Sequence, residues 1–241
     1  MCWIGRKKGR ALTTTPQPVL ALIHTSHTLV PMFTELCRKH LPEVRIFHVS
    51  DESLIQDTVR NGSLRRITMR RLIDQIASAE AAGADTVLTT CSSIGEGVAL
   101  AQKLFDIPVL RIDEAMAEAV VAKARTVGVL ATLRTTLEPT TNLLRQKAAE
   151  ARRELRLVEC LCEDAFPAVL AGDVETHDNL LRQALLNDMK GVDAIVLAQA
   201  SMSRVVRSLE PGLLQAPVFS SPELAVKSVR AKLGLPAVIA E

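Results

Sequence analysis

Aromatic side chains are scarce in this sequence of 241 residues. Tyrosine is absent, and aromatic residues make up only 2% of the chain. Surfaces that stack nucleic-acid bases depend on aromatic rings. The net charge is +2, and acidic and basic residues are interspersed, which provides no argument for binding to nucleic acid or to a membrane surface. We therefore expect neither a nucleic acid nor a membrane as a partner.

Other patterns are missing as well. No apolar run reaches the length of a membrane-spanning helix. Residues 1–18 are basic but lack the apolar core of a signal peptide, so we expect residues 1–17 to form a flexible leader. The five cysteines are an odd number without a disulfide framework, which indicates a reducing compartment and a cytoplasmic protein. No group of His, Cys, Asp and Glu has metal-ligand spacing, so no metal site is expected.

Short apolar runs alternate with amphipathic, helix-like runs along the chain. The apolar runs lie at residues 19–23, 44–49, 86–88, 108–113, 126–132, 157–162, 192–197 and 217–222. Such alternation predicts an α/β fold with parallel sheets and helices on both faces. In the second half, we expect the helix after the strand at 126–132 to begin at Asn142.

The pattern of the first half returns in the second half. Five pairs of residues recur at offsets of 107 to 110 positions: Thr25 and Thr132, Gly62 and Gly172, Asp85 and Asp193, Cys91 and Gln199, and Pro108 and Pro217. We infer two pseudo-symmetric α/β lobes, that is, duplicated flavodoxin-like halves with the active site in the cleft between them. The first lobe is expected to comprise residues 18–112 and about 221–241, and the second residues 113–220.

A polar turn that contains Cys91 is the strongest candidate for a reactive site. The apolar strand at 86–88 leads into Cys91-Ser92-Ser93, and a helical pattern follows from Val98. A cysteine at the N-terminus of a helix is exposed to the positive end of the helix dipole, which lowers the thiol pKa. The alternative is a buried thiol that only fills the core. Ser92 and Ser93 are candidates either for helix capping or for binding a carboxylate.

Three segments together resemble the aspartate/glutamate/hydantoin racemase superfamily, over about residues 18–235. They are 87–93, 128–132 with Thr135 and Thr136, and 193–201. In that family two cysteines, one from each lobe, flank the α-carbon of the substrate. One thiolate removes the α-proton and the opposite thiol returns a proton, without any cofactor. The resemblance implies a cofactor-independent racemase or isomerase that acts on a small carboxylate-containing substrate, with Cys91 as the acid/base.

The sequence departs from the family at the second cysteine, because the matching residue is Gln199. An amide cannot exchange a proton at neutral pH, so another group must face Cys91 in a racemase. We consider His177 and Asp51 as that second acid/base. The resemblance also leaves open a decarboxylase in which Cys91 is the proton donor, although in that group the cysteine lies in the second lobe. A third alternative is a protein that binds a small carboxylate without catalysis.

Further polar residues lie at or near predicted strand ends, where α/β proteins collect their ligands. The predicted substrate-binding residues are Ser92, Ser93, Thr132, Thr135, Gln199, Ser201, His24, Thr25 and Asp51. For the hydroxyl residues and Asp51, helix capping competes with binding. The sequence leaves open whether the chain is a monomer or a homodimer.

Overall fold

The computed structural model describes residues 17–210 and 212–236, and within them it contains two four-stranded parallel sheets. The first sheet has the strand order β2-β1-β3-β4, and the second has the equivalent order β6-β5-β7-β8. The strands are β1 (Val19–His24), β2 (Arg45–Ser50), β3 (Thr86–Thr89), β4 (Val109–Arg111), β5 (Thr126–Ala131), β6 (Arg156–Leu161), β7 (Ala194–Leu197) and β8 (Val218–Ser220). The predicted α/β fold with two similar lobes is therefore confirmed.

Helices connect the strands and cover both sheets. They are α1 (Val30–His40), α2 (Ser53–Asn61), α3 (Arg66–Ala81), α4 (Gly95–Ala101), α5 (Glu114–Val121), α6 (Arg134–Glu150), α7 (Ala165–Leu170), α8 (Val174–Asn187), α9 (Ser203–Arg207) and α10 (Ser221–Lys232). Short 3-10 helices at Ser92–Ile94 and Ala200–Met202 follow β3 and β7. None of the helices in the described ranges is both long and apolar enough to cross a membrane.

Residues paired by the sequence repeat have matching structural roles. The backbone N–H of Val19 donates to Asp85 Oδ2 at 2.8 Å, and that of Thr126 donates to Asp193 Oδ2 at the same distance. Each aspartate thus holds the start of the first strand of its own lobe. Gly62 ends α2, and Gly172 follows α7, both in the left-handed conformation that favours glycine.

The central strands are buried on both faces, as expected for parallel sheets covered by helices. Every residue of β1, β3 and β7 is buried. Because successive side chains of a strand point to opposite faces, Leu20 and Leu22 pack with Phe33 and with residues of α10. On the other face, Ile23 packs against α3. The last helix of the described chain thus covers the first sheet.

The structure corrects the start of one predicted helix. Helix α6 begins at Arg134 instead of Asn142 and carries Pro139 in its interior. Proline lacks the N–H that an α-helix needs, which is why the sequence suggested a later start. Packing outweighs that cost here, since Leu137 is buried and the Thr136 hydroxyl lies 2.8 Å from that of Ser93 in the first lobe.

Helices α2 and α7, both short, follow β2 and β6. The sequence suggested α2 only through the capping alternative for Asp51, and it did not predict α7. The predicted leader, apart from Gln17, lies outside the described residues. The residue boundaries proposed for the two lobes stay a prediction.

Candidate active site

A cavity of about 280 Å³ is lined by residues from both lobes at the carboxyl ends of the two sheets. Eight of the predicted site residues line it: Thr25, Cys91, Ser92, Ser93, Thr132, His177, Gln199 and Ser201. The first four belong to the first lobe and the others to the second. Parallel strands that end at the same edge of a sheet bring together residues that are far apart in sequence. The cavity is the site in which these side chains can act together.

Cys91 lies in the turn between β3 and the 3-10 helix Ser92–Ile94, and its backbone is extended. Burial raises the pKa of the Cys91 thiol, whereas hydrogen bonds from Thr25, Ser93 and the backbone of Ile94 act in the opposite direction. The net effect is a pKa above the ordinary value, so the expected lowering of the pKa is wrong for this structure. Desolvation outweighs the hydrogen bonds at the helix start because it penalises the charged thiolate.

The equivalent turn of the second lobe carries Gln199 in place of a cysteine. Its Oε1 accepts hydrogen bonds from the backbone N–H of Thr132 at 2.7 Å and from the Thr132 hydroxyl at 3.0 Å. Its Nε2 donates to the same hydroxyl at 2.8 Å. In the first lobe, Thr25 forms a hydrogen bond with Cys91 at the corresponding place. Both turns therefore pair a threonine with the residue after the central strand, but only one provides a thiol.

His177 reaches the cavity from α8 of the second lobe and is almost fully buried. Its Nδ1 lies 2.6 Å from Asp178 Oδ1 and 3.1 Å from Arg204 Nη2. Arg204 also holds the Asp178 carboxylate through Nε at 3.0 Å and Nη2 at 2.7 Å. Within the described chain, no hydrogen bond uses His177 Nε2. The ring is thus fixed through one nitrogen, and the other is available to a ligand.

The remaining lining is largely apolar. It includes Leu29, Ile55, Ile112, Leu133, Phe166, Val169 and Leu170. Several of these residues belong to α2, which the sequence suggested only as a helix capped by Asp51, and to α7, which it did not predict. The pair Gly62 and Gly172 could have indicated these helices, because the two glycines mark the ends of equivalent segments in the two lobes. In the described residues no group of three or more His, Cys, Asp or Glu side chains is arranged to hold a metal ion.

Asp51 does not line the cavity. Its Oδ1 accepts a hydrogen bond from the Ser53 backbone at 3.0 Å, and its Oδ2 accepts from Arg71 at 2.8 Å and Gln75 at 2.7 Å. Partial burial opposes ionisation of this carboxyl, but Ser53, Arg71 and Gln75 together hold its pKa below the ordinary value. This placement argues against both predicted roles of Asp51, substrate binding and second acid/base.

His24 also lies outside the cavity lining, buried behind it. Its Nδ1 is 2.8 Å from the Thr90 hydroxyl, and its Nε2 is 2.8 Å from His48 Nδ1. Burial, with a smaller contribution from His48, lowers the pKa of His24 to about 4.

Thr135 lines a separate, smaller cavity of about 100 Å³, so the structure does not bring it to Cys91 either.

Comparison with known proteins supports these features of the fold. The family model described as Asp/Glu/Hydantoin racemase matches residues 21–229. Among curated protein sequences, none gives a significant match.

Several solved structures are similar to this chain. An aspartate racemase from Picrophilus torridus has a TM-score of 0.69 at 15% identity, covering 91% of this chain and 96% of its own. Glutamate racemase RacE1 from Bacillus anthracis gives 0.67 at 14% identity, covering 93% and 85%. An allantoin racemase from Klebsiella pneumoniae gives 0.59 at 22% identity, covering 91% and 90%. At such low identity, these likenesses concern the fold alone.

Proposed function

The chain belongs to the Asp/Glu/hydantoin racemase family, and on that premise we propose that it is a cofactor-independent isomerase or racemase. It moves a proton at the carbon next to a carboxylate or carbonyl group of a small substrate, and Cys91 is one acid/base. The observation that carries this proposal is the shared cavity, which Cys91 lines from the first lobe and His177 from the second.

His177 is the second acid/base in this proposal. Gln199 stands where the family has its second cysteine, and three hydrogen bonds with Thr132 hold its amide. A carboxylate only accepts hydrogen bonds and a guanidinium only donates them. Because His177 Nδ1 lies closer to Asp178, at 2.6 Å, than to Arg204, at 3.1 Å, we assign the Nδ1 proton to the contact with Asp178. Nε2 is then free to exchange a proton with a substrate. Imidazole is the side chain most often used for such transfers.

The reaction consists of two proton transfers. The Cys91 thiolate takes the proton from the α-carbon, and the electrons of the C–H bond move into the neighbouring carbonyl to give an enolate. When the enolate collapses, the α-carbon takes a proton from His177 Nε2 on its other face. The product has the opposite configuration. Cys91 then holds the former α-proton as a thiol and His177 is a neutral imidazole, and exchange with solvent restores the thiolate and the imidazolium.

The polar lining supports the enolate step. A proton next to a carboxylate is very weakly acidic, so the negative charge that develops on oxygen needs hydrogen-bond donors already in place. Ser92 and Ser93 line the cavity beside Cys91, and hydroxyl groups can donate to such an oxygen. The apolar remainder of the lining limits access of water, which strengthens each of these interactions.

One observation favours decarboxylation as a second candidate function. Burial keeps the pKa of Cys91 above its ordinary value, so the resting group is a thiol and not a thiolate. A thiol is ready to protonate the carbanion that remains after carbon dioxide leaves. In that reaction a single cysteine suffices, and His177 only positions the departing carboxylate.

The two reactions are separable by experiment. The protein is incubated in heavy water with hydroxy acids, cyclic amides and substituted malonates, and NMR follows the α-proton while carbon dioxide release is measured in parallel. Exchange of the α-proton with inversion supports the isomerase, and carbon dioxide release supports the decarboxylase.

The Cys91→Ser variant tests the assigned group. Loss of a positioned acid/base lowers the rate by about 100-fold or more. Cys160→Ser, which changes a partly exposed cysteine of β6 outside the cavity, is the matched control and should retain the wild-type rate. Unchanged turnover in Cys91→Ser contradicts the proposal. Ligand binding without any turnover, unaffected by Cys91→Ala, identifies a binding protein instead.

A further inference from the structure

We infer that the substrate carries an apolar substituent, and no ammonium group, on its reacting carbon, and that the substituent lies in a groove between α2 and α7. The inference rests on the proposed function for the position of the reacting carbon near Cys91. It is carried by two independent features, which are the absence of charged side chains from the cavity lining and the apolar groove that continues from it.

The cavity lining offers no partner for a positive charge. Of the described residues that line it, none is an aspartate, glutamate, lysine or arginine. Two acids outside the lining are already paired, since Asp178, next to His177, is held by Arg204 and Asp51 by Arg71. A buried ammonium group without a carboxylate partner is strongly disfavoured. A free α-amino acid carries an ammonium group next to its reacting carbon, and therefore fits this cavity poorly.

The cavity continues into a second space of about 450 Å³. The two spaces share Thr25, Ser26, Ile55, Phe166 and Leu170. The walls of the second space come from α2 and α7, the short helices that occupy equivalent places in the two lobes. Because five residues line both spaces, a molecule whose reacting carbon lies near Cys91 can extend into the groove.

Apolar side chains form most of the surface of the groove, although Glu52, Gln56 and Arg60 also line it. Ile55 and Val59 line it from α2, and Phe166 and Leu170 line it from α7. Leu170 is 71% exposed. The charged residues of the groove already have partners: Glu52 contacts His27, and Arg60 lies 3.7 Å from Asp57. An alkyl or aryl substituent of the substrate would remove these apolar side chains from water, which is favourable.

A set of four acids tests separately the preference for an apolar substituent and the exclusion of an ammonium group. Lactate and 3-phenyllactate differ by an aryl ring, as do alanine and phenylalanine, while each hydroxy acid differs from its amino acid by the ammonium group. Dissociation constants are measured by calorimetry. We expect 3-phenyllactate to bind about tenfold or more tightly than lactate, because burial of an aromatic group contributes that much. We expect phenylalanine to bind at least tenfold more weakly than 3-phenyllactate.

Two cyclic amides test whether the cavity binds the oxygen of a carboxylate or the oxygen of a neutral ring amide. Hydantoin and 5-benzylhydantoin repeat the comparison with a neutral ring in place of a carboxylate. The benzyl effect is the tighter binding of the benzyl-bearing compound than of its parent. A benzyl effect in both series means that the groove holds the substituent and that the hydroxyl groups bind either kind of oxygen. A benzyl effect in one series alone identifies which oxygen the cavity accepts.

One pair of variants tests the groove itself. Leu170→Asp places a carboxylate in the groove at an exposed position, so the fold is retained, and it should abolish the benzyl effect. Leu104→Asp alters a leucine that is 59% exposed and lies outside both spaces, and it should leave the effect unchanged. An equal loss in both variants overturns the assignment of the groove.

The outcomes separate this inference from the proposed function. Equal affinity for phenylalanine and 3-phenyllactate, or no binding by any of the six compounds, overturns the inference. Rapid racemisation of a free amino acid overturns it too, and upholds the proposed function. The expected order of affinities without any turnover upholds the inference and counts against the proposed function.

Discussion

Gln199 and Thr132 form a closed pair in which one amide makes three hydrogen bonds with one threonine, at 2.7, 3.0 and 2.8 Å. The equivalent threonine of the first lobe, Thr25, forms its hydrogen bond with Cys91. The duplicated turn has kept its threonine in both lobes, whereas the residue that contacts it differs. In the second lobe the amide holds the turn together and supplies no proton.

Replacing Gln199 by cysteine should restore a second thiol at the symmetric position. In a His177→Gln background, Gln199→Cys is expected to raise the rate of α-proton exchange in heavy water above that of His177→Gln alone, because the new thiol takes over from the imidazole. The comparison is with Gln199→Ala in the same background, which loses the same hydrogen bonds without gaining a thiol. Equal exchange rates in the alanine and cysteine variants would show that this position cannot deliver a proton.

Asp178 should act through His177 by fixing its ring. Asp178→Asn removes the carboxylate that receives Nδ1–H, so we expect kcat to fall by about 10- to 100-fold with little change in KM. His177→Gln should cost more. The control is Asp173→Asn at the start of the same helix, where the side chain accepts from the Thr176 backbone at 3.0 Å and asparagine caps as well. A change confined to KM would assign Asp178 to binding instead of positioning.

Gly95 should tolerate no side chain. A Cβ on this residue would lie 2.5 Å from Cζ of Arg111, which is buried and bound to Asp113 through two hydrogen bonds of 3.0 and 2.9 Å. Displacing a buried ion pair is costly, so Gly95→Ala should lower the free energy of unfolding by about 2–4 kcal/mol.

Gly97 of the same helix is the matched control for Gly95. A Cβ there would lie 3.0 Å from the flexible Leu72 side chain, and alanine favours the helix. Gly97→Ala should therefore change the free energy of unfolding by less than about 1 kcal/mol. Urea denaturation of both variants measures the free energy of unfolding. Equal decreases in the two variants would show that the contact with Arg111 is not the cause.

His24 should make stability depend on pH. Its pKa is about 4 in the folded protein, compared with the ordinary 6.5, so the unfolded chain binds the proton first as the pH falls. The stability provided by the neutral ring is complete above pH 6.5 and is lost as the pH decreases towards 4. After allowance for partial solvation, the loss is on the order of 2 kcal/mol.

The His24→Asn variant isolates this contribution. The free energy of unfolding is measured for both proteins across the same pH range, and the decrease should be smaller in the variant. His48, whose pKa is also lowered by burial, is present in both proteins and contributes to both curves. Parallel curves would mean that His24 has the same pKa in the folded and the unfolded protein.

The sequence was sufficient for the fold and for the position of Cys91. Strand patterns and the regular offset of landmark residues such as Asp85 and Asp193 identified two matching lobes, because these features depend on local periodicity and on hydrogen bonds repeated in each half. The end of a buried strand in an α/β protein is also a position at which ligands collect, which placed Cys91 and Gln199 in the same cavity.

What the sequence could not reveal depends on contacts between distant segments. Asp51 looked available but is occupied by Arg71 and Gln75 of α3. The pKa of Cys91 was expected to fall from the helix start alone, whereas burial by the completed fold reverses the direction. Helix α7 was not predicted because it is short and contains Pro167, and α2 was considered only as a helix capped by Asp51, so the apolar faces of both were not assigned to the cavity.

The unlike turns of the two lobes, thiol in one and amide in the other, have a kinetic consequence for an enzyme that uses Cys91 and His177 together. One direction of inversion needs thiolate with imidazolium, and the reverse direction needs thiol with neutral imidazole. These two forms contain the same number of protons and differ only in which group holds the proton. Their ratio is therefore an internal equilibrium that the acidity of the medium does not alter. The pH–rate profiles for the two enantiomers should consequently have the same shape, although a different group removes the α-proton in each direction.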